Sequence, residues 1–369
     1  MDFTIERNTL LKPLGHIYSI VERRNTIPIL SNVLIETNSS KVSFTATDMD
    51  MDIVETARCI VSTQGKVTVS AHTLYDIVRK LTDGSEISIK LTDTNLEVSA
   101  GKSKFILPTL PVDDYPIMSE IENVSKFFIQ SVDLASLIDN TKFAISLEET
   151  RYYLNGIFFH VPDSNKDKLR AVATDGHRLA QAEIPLPNGA ENIPSLILPR
   201  KAVGEIRKLT DLTDGSVEII ISDTKVKFIF PNTILTTKLI DGTFPDYEKV
   251  IPVSNDKLLQ VEADPFFNAI DRVSTVNQDK APTVKLQFEN NNIKIMATST
   301  DSNKGDEEVA ASYAAESLEI LFNSKYILDL QDVIEGDTIM LELLNQSSPV
   351  IVKDPKDTTS LYILMPMRI

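Results

Sequence analysis

The sequence predicts an α+β protein built from three similar domains in tandem, each with antiparallel strands and two helices. Three segments alternate apolar and polar residues with the period of two that is typical of a half-buried strand. Each segment ends in Ala-Thr, at residues 46–47, 173–174 and 297–298. These pairs lie 127 and 124 residues apart, so the repeat takes up about one third of the 369-residue chain. A spacing this regular indicates an internal repeat.

The alternating segments belong to predicted hairpins. In each repeat, another apolar stretch comes before the Ala-Thr strand across a polar turn, at residues 33–35, 157–159 and 284–286. In the second half of each repeat, Gly and Asp at a turn precede a further alternating strand, at residues 87–91, 219–221 and 339–343. We therefore expect several antiparallel strands in each repeat.

Six further stretches have the apolar spacing of amphipathic helices, starting near residues 8, 72, 132, 200, 264 and 324. Because few helices accompany many strands, each helix is expected to cover one face of a sheet. Polar stretches that follow proline-bearing segments suggest the domain boundaries. They divide the chain into residues 1–122, 123–252 and 253–369.

The composition excludes several classes of protein. Hydrophobic residues make up 42% and charged residues 24%, which is typical of a folded globular protein. The single cysteine, Cys59, forbids a disulfide within the chain, and the four histidines have no metal-ligand spacing. No apolar run approaches the ~18 residues of a membrane span, and the first residues do not have the pattern of a signal peptide. We expect a cytoplasmic protein without membrane contact.

One cluster of carboxylates could hold a metal ion. Asp48, Asp50 and Asp52 alternate along a short segment, as in a calcium loop or a two-metal site. Counted from Asp48, position six is Ile53 rather than Gly, and position twelve is Cys59 rather than Glu. The polar face of a strand is the favoured interpretation, and a metal-dependent enzyme that uses the three carboxylates stays open as an alternative.

A second cluster has the minimum for acid–base catalysis. Asp175 and His177 lie close in sequence, beside Thr174. No Gly-x-Ser-x-Gly nucleophile motif occurs, and the 12 glycines never cluster into a phosphate-binding loop. The sequence therefore predicts no catalytic residue, no metal and no cofactor. A monomeric peptide-binding scaffold without DNA contact is the second alternative.

Several motifs together closely resemble one family. They are Arg-Tyr-Tyr-Leu-Asn-Gly at 151–156, Ala-Thr-Asp-Gly-His-Arg-Leu at 173–179, Phe-Pro-Asp-Tyr at 244–247 and Tyr-Ile-Leu-Met-Pro-Met-Arg-Ile at 362–369. In order and spacing the chain resembles the bacterial DNA polymerase sliding clamp, the β subunit of the replicative polymerase. The resemblance implies the DNA clamp fold, with sheets outside and helices lining a ring. It also implies a non-catalytic head-to-tail homodimer that encircles duplex DNA, tethers the polymerase and confers processivity.

The charge balance has to be weighed against this resemblance. A net charge of −16 argues against a nucleic-acid binder. The six predicted helices together are slightly positive, however, and the rest of the chain is strongly negative. Glu148 stands where the family often has an uncharged polar residue, which argues against a DNA contact there. The DNA-facing residues that the resemblance implies, without base recognition, are Arg24, Arg79, Lys80, Arg200, Lys201 and Arg207.

Two oppositely charged segments match the family's dimer interface. The resemblance implies an apolar contact of the first domain with a helix end of the third, flanked by lysines that face acidic residues. Lysines on a strand also block edge pairing, so a monomer stays possible. The implied interface residues are Lys102, Lys104, Phe105, Leu107, Val276, Asp306, Glu307 and Glu308.

The family also docks a short peptide, with a Gln and with apolar and aromatic residues, between its second and third domains. The partners that this implies are the replicative polymerase, the clamp loader and repair proteins. Lys249 replaces a common arginine, and Gln346 replaces an aliphatic residue. Aliphatic and methionine side chains suit such a pocket, and the matching positions are Leu154, Thr174, Gly176, His177, Arg178, Leu179, Pro245, Val250, Ser348, Ile363, Leu364, Met365, Pro366, Met367 and Arg368.

Overall fold

The computed structural model describes residues 1–23, 25–119, 121–122, 124–277, 279 and 281–367. Arg24 and Arg368, which the resemblance assigned to the DNA-facing surface and to the pocket, lie outside these residues. Along the described chain, six α-helices begin within one residue of their predicted starts. They are α1 (Arg7–Ile20), α2 (Ala71–Lys80), α3 (Ser131–Asp139), α4 (Arg200–Thr210), α5 (Ala263–Ser274) and α6 (Ser324–Leu328).

The predicted strands are confirmed, and others join them. In chain order the strands are β1 (Asp2–Glu6), β2 (Asn32–Asn38), β3 (Lys41–Thr47), β4 (Met51–Arg58), β5 (Ile60–Thr63), β6 (Gly65–Ser70), β7 (Glu86–Thr92), β8 (Asn95–Ala100), β9 (Ser103–Leu110), β10 (Ser125–Gln130), β11 (Gly156–His160), β12 (Lys168–Thr174), β13 (Arg178–Pro185), β14 (Leu196–Pro199), β15 (Ser216–Ile221), β16 (Lys225–Ile229), β17 (Thr233–Lys238), β18 (Lys257–Glu262), β19 (Thr283–Glu289), β20 (Asn292–Thr298), β21 (Lys304–Tyr313), β22 (Leu318–Asn323), β23 (Thr338–Leu343), β24 (Val350–Asp354) and β25 (Asp357–Leu364). The three predicted hairpins are the antiparallel pairs β2–β3, β11–β12 and β19–β20.

The described chain divides into two compact units. The first consists of residues Met1–Ser131 and Gly204–Leu239. Its strands form one antiparallel sheet in the order β10-β15-β16-β17-β4-β3-β2-β6-β9-β8-β7-β1-β5. Within this unit, β17 of the predicted second domain pairs with β4 of the predicted first domain. Hydrogen bonds therefore join the two repeats into one sheet.

The second unit consists of Val132–Val203 and Ile240–Ile369. Its sheet has the order β14-β11-β12-β13-β25-β24-β23-β18-β21-β20-β19-β22. Here β13 of the predicted second domain pairs with β25 of the predicted third domain. Because sheets continue from one repeat to the next, the units do not follow the repeats, and the boundaries near 122 and 252 stay predictions.

Helices cover the sheets as expected. In the first unit, α1 packs on β3 and β4 through Leu10, Leu14 and Ile17, which are fully buried. The carboxylate of Glu6 caps this helix, because it accepts hydrogen bonds from the amides of the two residues after Arg7 at 2.9 and 2.8 Å. These bonds hold the pKa of Glu6 below its usual range. No helix of the described residues is long and apolar enough to cross a membrane.

Candidate functional site

A tight turn between β12 and β13 carries the predicted pocket residues Thr174 to Arg178. The Oδ1 atom of Asp175 accepts hydrogen bonds from the amides of His177 and Arg178 at 2.9 and 3.0 Å. The hydroxyl of Thr174 accepts a hydrogen bond from the amide of Gly176 at 3.1 Å and donates one to the carbonyl of Arg178 at 2.6 Å. The carboxylate of Asp175 therefore organises backbone rather than activating His177.

Gly176 suits this turn because of its backbone conformation, and its lack of a side chain leaves room for Arg151. Its φ of +86° lies in the left-handed region that favours glycine. A Cβ atom at this position would lie 2.6 Å from the Nη1 atom of Arg151. That guanidinium is held in place by an ion pair with Glu148 at 2.7 Å. The Arg-Tyr-Tyr motif and the turn are thus in direct contact.

Arg178 is fixed from several sides. Its guanidinium pairs with Asp175 at 3.1 Å and with Asp329. The same group lies 4.5 Å from the ring centroid of Tyr326 and 5.3 Å from that of Phe143, both within cation–π range. A planar guanidinium held by ion pairs and rings is pre-organised to present its remaining N–H groups to a ligand.

The C-terminal segment runs beside the turn. In the β13–β25 pair, Arg178 lies opposite Leu364, and Leu179 lies opposite Ile363. The amide of Met365 then donates a hydrogen bond to the carbonyl of His177 at 2.9 Å. The structure therefore brings the motif at residues 173–179 and the C-terminal motif that starts at residue 362 side by side.

Under this surface lies a small apolar core. Leu154, Leu179 and Ile363 pack with three further apolar residues and with Tyr247, and each of the three is nearly fully buried. Leu364 is buried as well. This apolar core is the floor of the predicted pocket, and the more accessible pocket residues form a rim above it. Gly176, His177, Pro245 and Val250 are exposed, and Thr174 is nearly buried, whereas Arg178, Ser348, Met365, Pro366 and Met367 are half-buried.

Sequence reasoning missed a buried polar network under the rim. The guanidinium of Arg170 donates hydrogen bonds to Glu183 at 2.6 Å, to Tyr247 Oη at 2.7 Å and to Glu248 at 2.8 Å. The Nε2 atom of His160 lies 2.9 Å from the same Tyr247 oxygen. Burial lowers the pKa of His160 and raises that of Tyr247. The network anchors the short helix Tyr247–Val250, which ends at the rim.

The alternative metal site does not assemble. The Oδ1 atom of Asp48 accepts hydrogen bonds from the amides of Asp50 and Met51 at 2.9 and 2.7 Å, as Asp175 does in its own turn. Asp50 pairs with a lysine of β17 at 3.0 Å. Asp52 is buried, which raises its pKa. No group of three or more His, Cys, Asp or Glu residues in the described chain could hold a metal ion.

Among the described residues, the cations that were predicted to face DNA lie on two helices. On α2, Arg79 and Lys80 are exposed, and Arg79 pairs with Asp76 at 3.1 Å. On α4, Arg200 and Lys201 are exposed, whereas the half-buried Arg207 pairs with Asp211. Lys208 of α4 is also exposed, although it was not among the predicted residues.

One segment of the predicted dimer interface lies on β9 and just before it. Lys102 and Lys104 are exposed, and Phe105 is half-buried. Leu107 is turned toward the core and is 8% exposed, whereas its neighbour Ile106 is 62% exposed. The strand alternation thus turns Ile106, rather than Leu107, toward the outside.

The other segment lies on β21. Asp306 and Glu308 are exposed, and Glu307 is half-buried and accepts a hydrogen bond from Arg272 at 3.0 Å. Val276 is half-buried close by, since a Cβ on Gly305 would lie 3.4 Å from its Cγ1 atom. The structure therefore brings the predicted acidic residues and Val276 together.

These features define a surface that is suited to binding a ligand, with an apolar floor and an accessible rim. Family models of the DNA polymerase III beta subunit match the chain in three parts: the N-terminal domain at residues 1–119, the central domain at 128–246 and the C-terminal domain at 248–368. The chain is 46% identical to the beta sliding clamp of Caulobacter vibrioides and 33% identical to that of Escherichia coli K12, with all of each chain covered.

Solved structures agree with these relatives. A crystal structure of the Caulobacter crescentus beta sliding clamp matches with a TM-score of 0.97 at 46% identity, covering 100% of this chain and 99% of that one. The Bartonella birtlesii sliding clamp, bound to griselimycin, matches with a TM-score of 0.98 at 43% identity over the whole of both chains. The chain belongs to the beta sliding clamp family, the DNA polymerase III beta subunits. It is a non-catalytic DNA sliding clamp of replication, with DNA and polymerase as its general partners.

Proposed function

We propose that two copies of this chain close head to tail into a ring around duplex DNA, and that each copy holds partner peptides in the surface around Gly176. The ring works in the cytoplasm, at the nucleoid. Its subunit consists of the domains 1–122, 123–252 and 253–369. The peptides come from the replicative polymerase, the clamp loader and repair proteins.

The observation that carries the ring proposal is a pair of open strand edges. From Ser103 to Pro108, β9 pairs with β8 alone among the described residues. From Lys304 to Ala310, β21 pairs in the described chain with β20 alone. An unpaired edge offers free amides and carbonyls to another strand. A head-to-tail contact that joins these two edges provides hydrogen-bond partners for the free amides and carbonyls of both.

The charges of the two edges are complementary. Lys102 and Lys104 stand on the first, and Asp306 and Glu308 stand on the second. Two like edges repel each other, so pairing of unlike edges is favoured, as a head-to-tail ring requires. The half-buried side chain of Val276 lies next to the acidic edge and provides an apolar contact.

The apolar part of this interface centres on Ile106 and Phe105. Ile106 is exposed on a strand face that otherwise carries Lys104 and Pro108. An exposed isoleucine next to a charged lysine is typical of an interface with an apolar centre and a polar rim. Leu107 supports the interface from inside the core.

The peptide surface combines a rigid apolar floor with an accessible rim. Leu179 and Ile363 are held in the core, so they shape the floor. Half-buried Met365 and Met367 adapt to different apolar side chains. The fixed guanidinium of Arg178 and the amides of the turn supply polar contacts that orient a peptide.

DNA is held by enclosure and weak phosphate contacts. The exposed Lys80, Arg200 and Lys201 lie on helices. The ion-paired Arg79 and Arg207 contribute further phosphate contacts, as does Arg24, which lies outside the described residues. With a net charge of −16, direct affinity for DNA is low and falls with salt. Such contacts allow the ring to slide.

Val250→Asp should weaken binding of a fluorescein-labelled peptide with Gln, Leu and Phe about tenfold or more, measured by fluorescence polarisation. Val250 is 46% exposed at the rim, so the change adds a charge to an apolar surface with little effect on the fold.

Val253→Asp is the matched control. Val253 is 99% exposed and three residues further along the chain, so the control variant should bind the peptide within about twofold of the parent. Equal affinity of the Val250→Asp variant and the control would remove Val250 from the peptide surface.

A further inference from the structure

A cavity of about 820 Å³ lies within the first compact unit, and the clamp function does not account for it. It is lined by one side of α1, by the end of α4, by β3 and β4, and by the turn between β16 and β17. This volume lies within the range of roughly 300–1,000 Å³ that is typical of small-molecule sites.

Three cations line the cavity. Lys12 of α1, Lys41 of β3 and Arg58 of β4 line it and are exposed. In the described part of the structure, none of the three forms an ion pair.

Two of these cations face each other directly. Lys41 and Arg58 are register partners in the antiparallel β3–β4 pair, so their side chains leave the sheet on the same face. Like charges directly opposite each other on neighbouring strands destabilise a sheet. An anion bound between them removes this repulsion, and local conflicts of this kind are expected at functional sites.

The carboxylate at the cavity does not compensate these cations. Glu55 is 4% exposed. Its Oε1 atom lies 2.6 Å from His16 Nδ1 and accepts a hydrogen bond from Thr233 at 2.8 Å. The carboxylate of Glu55 is therefore held by hydrogen bonds in the wall of the cavity. The exposed cations Lys12, Lys41 and Arg58 stay available for a ligand.

The rest of the lining is partly apolar and partly polar. Pro13 and Phe230 are buried, and Leu212 is exposed at the edge. Asn8 and Asn232 add side-chain amides. A ligand that matches the cavity thus has several negative charges at one end and a flat, weakly polar body with hydrogen-bonding groups at the other.

We propose that this cavity binds a nucleotide with two or three phosphates. The phosphates lie between Lys12, Lys41 and Arg58, because lysine and arginine are the usual partners of phosphate oxygens. The base packs against the apolar wall and bonds to the amides. Duplex DNA is the other candidate occupant, but a rigid duplex would leave the apolar wall unused.

The test is calorimetric titration of the full-length protein with dATP and, separately, with inorganic tripolyphosphate. We expect dATP to bind and tripolyphosphate to bind more weakly. The double change Lys41→Gln with Arg58→Gln should weaken dATP binding about tenfold or more, since two charge-assisted contacts are lost. Its Tm without ligand should equal or exceed that of the parent, because the repulsion is gone.

Lys126→Gln is the matched control, because Lys126 is an exposed strand lysine away from the cavity. It should leave dATP binding unchanged. Three results would overturn the proposal: no dATP binding by the parent, equal affinity for tripolyphosphate and dATP, or no effect of the double change. Loss of retention on circular DNA with unchanged dATP binding in the double variant would assign these cations to DNA instead.

Discussion

Arg170→Met should lower the free energy of unfolding by about 3–5 kcal/mol, a large loss for a single substitution. Arg170 is almost fully buried and bonds Glu183, Tyr247 and Glu248. Methionine fills similar space but leaves the buried hydroxyl of Tyr247 and the largely covered carboxylate of Glu183 without their donor. Urea denaturation followed by far-UV circular dichroism measures the change.

Arg79→Met is the control for this experiment. Arg79 also forms an ion pair with a carboxylate, but its side chain is exposed on α2. An exposed pair contributes roughly 0–1 kcal/mol, so the control should change stability little. If both variants lost the same small amount, the buried network would not anchor the segment under the rim.

Ile106→Asp should convert the proposed dimer into a monomer, the second large effect. The change puts a negative charge where the acidic edge with Asp306 and Glu308 is proposed to dock, and juxtaposed like charges cost several kcal/mol. Ile106 is an outward-facing side chain, so the fold of the chain should survive. Sedimentation velocity at micromolar concentration distinguishes monomer from dimer.

Ile117→Asp is the matched control, because Ile117 is an exposed isoleucine outside β9. This control variant should sediment like the parent. A dimer for the Ile106→Asp variant would contradict the proposed edge contact. A monomeric parent would contradict the ring itself.

Local patterns in the sequence were sufficient to predict the strands and helices that make up the fold. The alternation around Phe44 or Ile295 places one face of a strand in the core, and both side chains are fully buried. Helix starts were equally predictable because apolar spacing changes there. Helix ends were not: Val21 continues the apolar pattern and is buried, yet its backbone is already extended and α1 has ended at Ile20.

The candidate site was predictable only in part, because its details depend on register and on distant residues. Phe105, Ile106 and Leu107 are all apolar, so alternation alone could not tell which one faces outward. Asp48 and Asp175 suggested ligand or acid–base chemistry, whereas each carboxylate satisfies backbone amides of a turn. A Thr-Asp pair before such a turn is the signal that could have indicated this capping role.

The network around Arg170 gave no signal of its own in the sequence. Its partners Glu183 and Tyr247 are 13 and 77 residues away. Only the pairing of β12 with β13 and the fold of the segment after Phe244 bring them together. The same holds for the cavity cations, since Lys12 lies on a helix and Lys41 and Arg58 lie on strands.

Retention on DNA tests whether the protein forms a closed ring around the duplex. The protein is loaded by a clamp loader onto a nicked circular plasmid, separated from free protein by gel filtration, and the plasmid is then cut at a single site. A closed ring predicts that the protein stays with the circle in moderate salt and leaves after linearisation, because enclosure rather than affinity holds it. Protein that stays on the linear DNA, or that never remains on the circle, would contradict a closed ring.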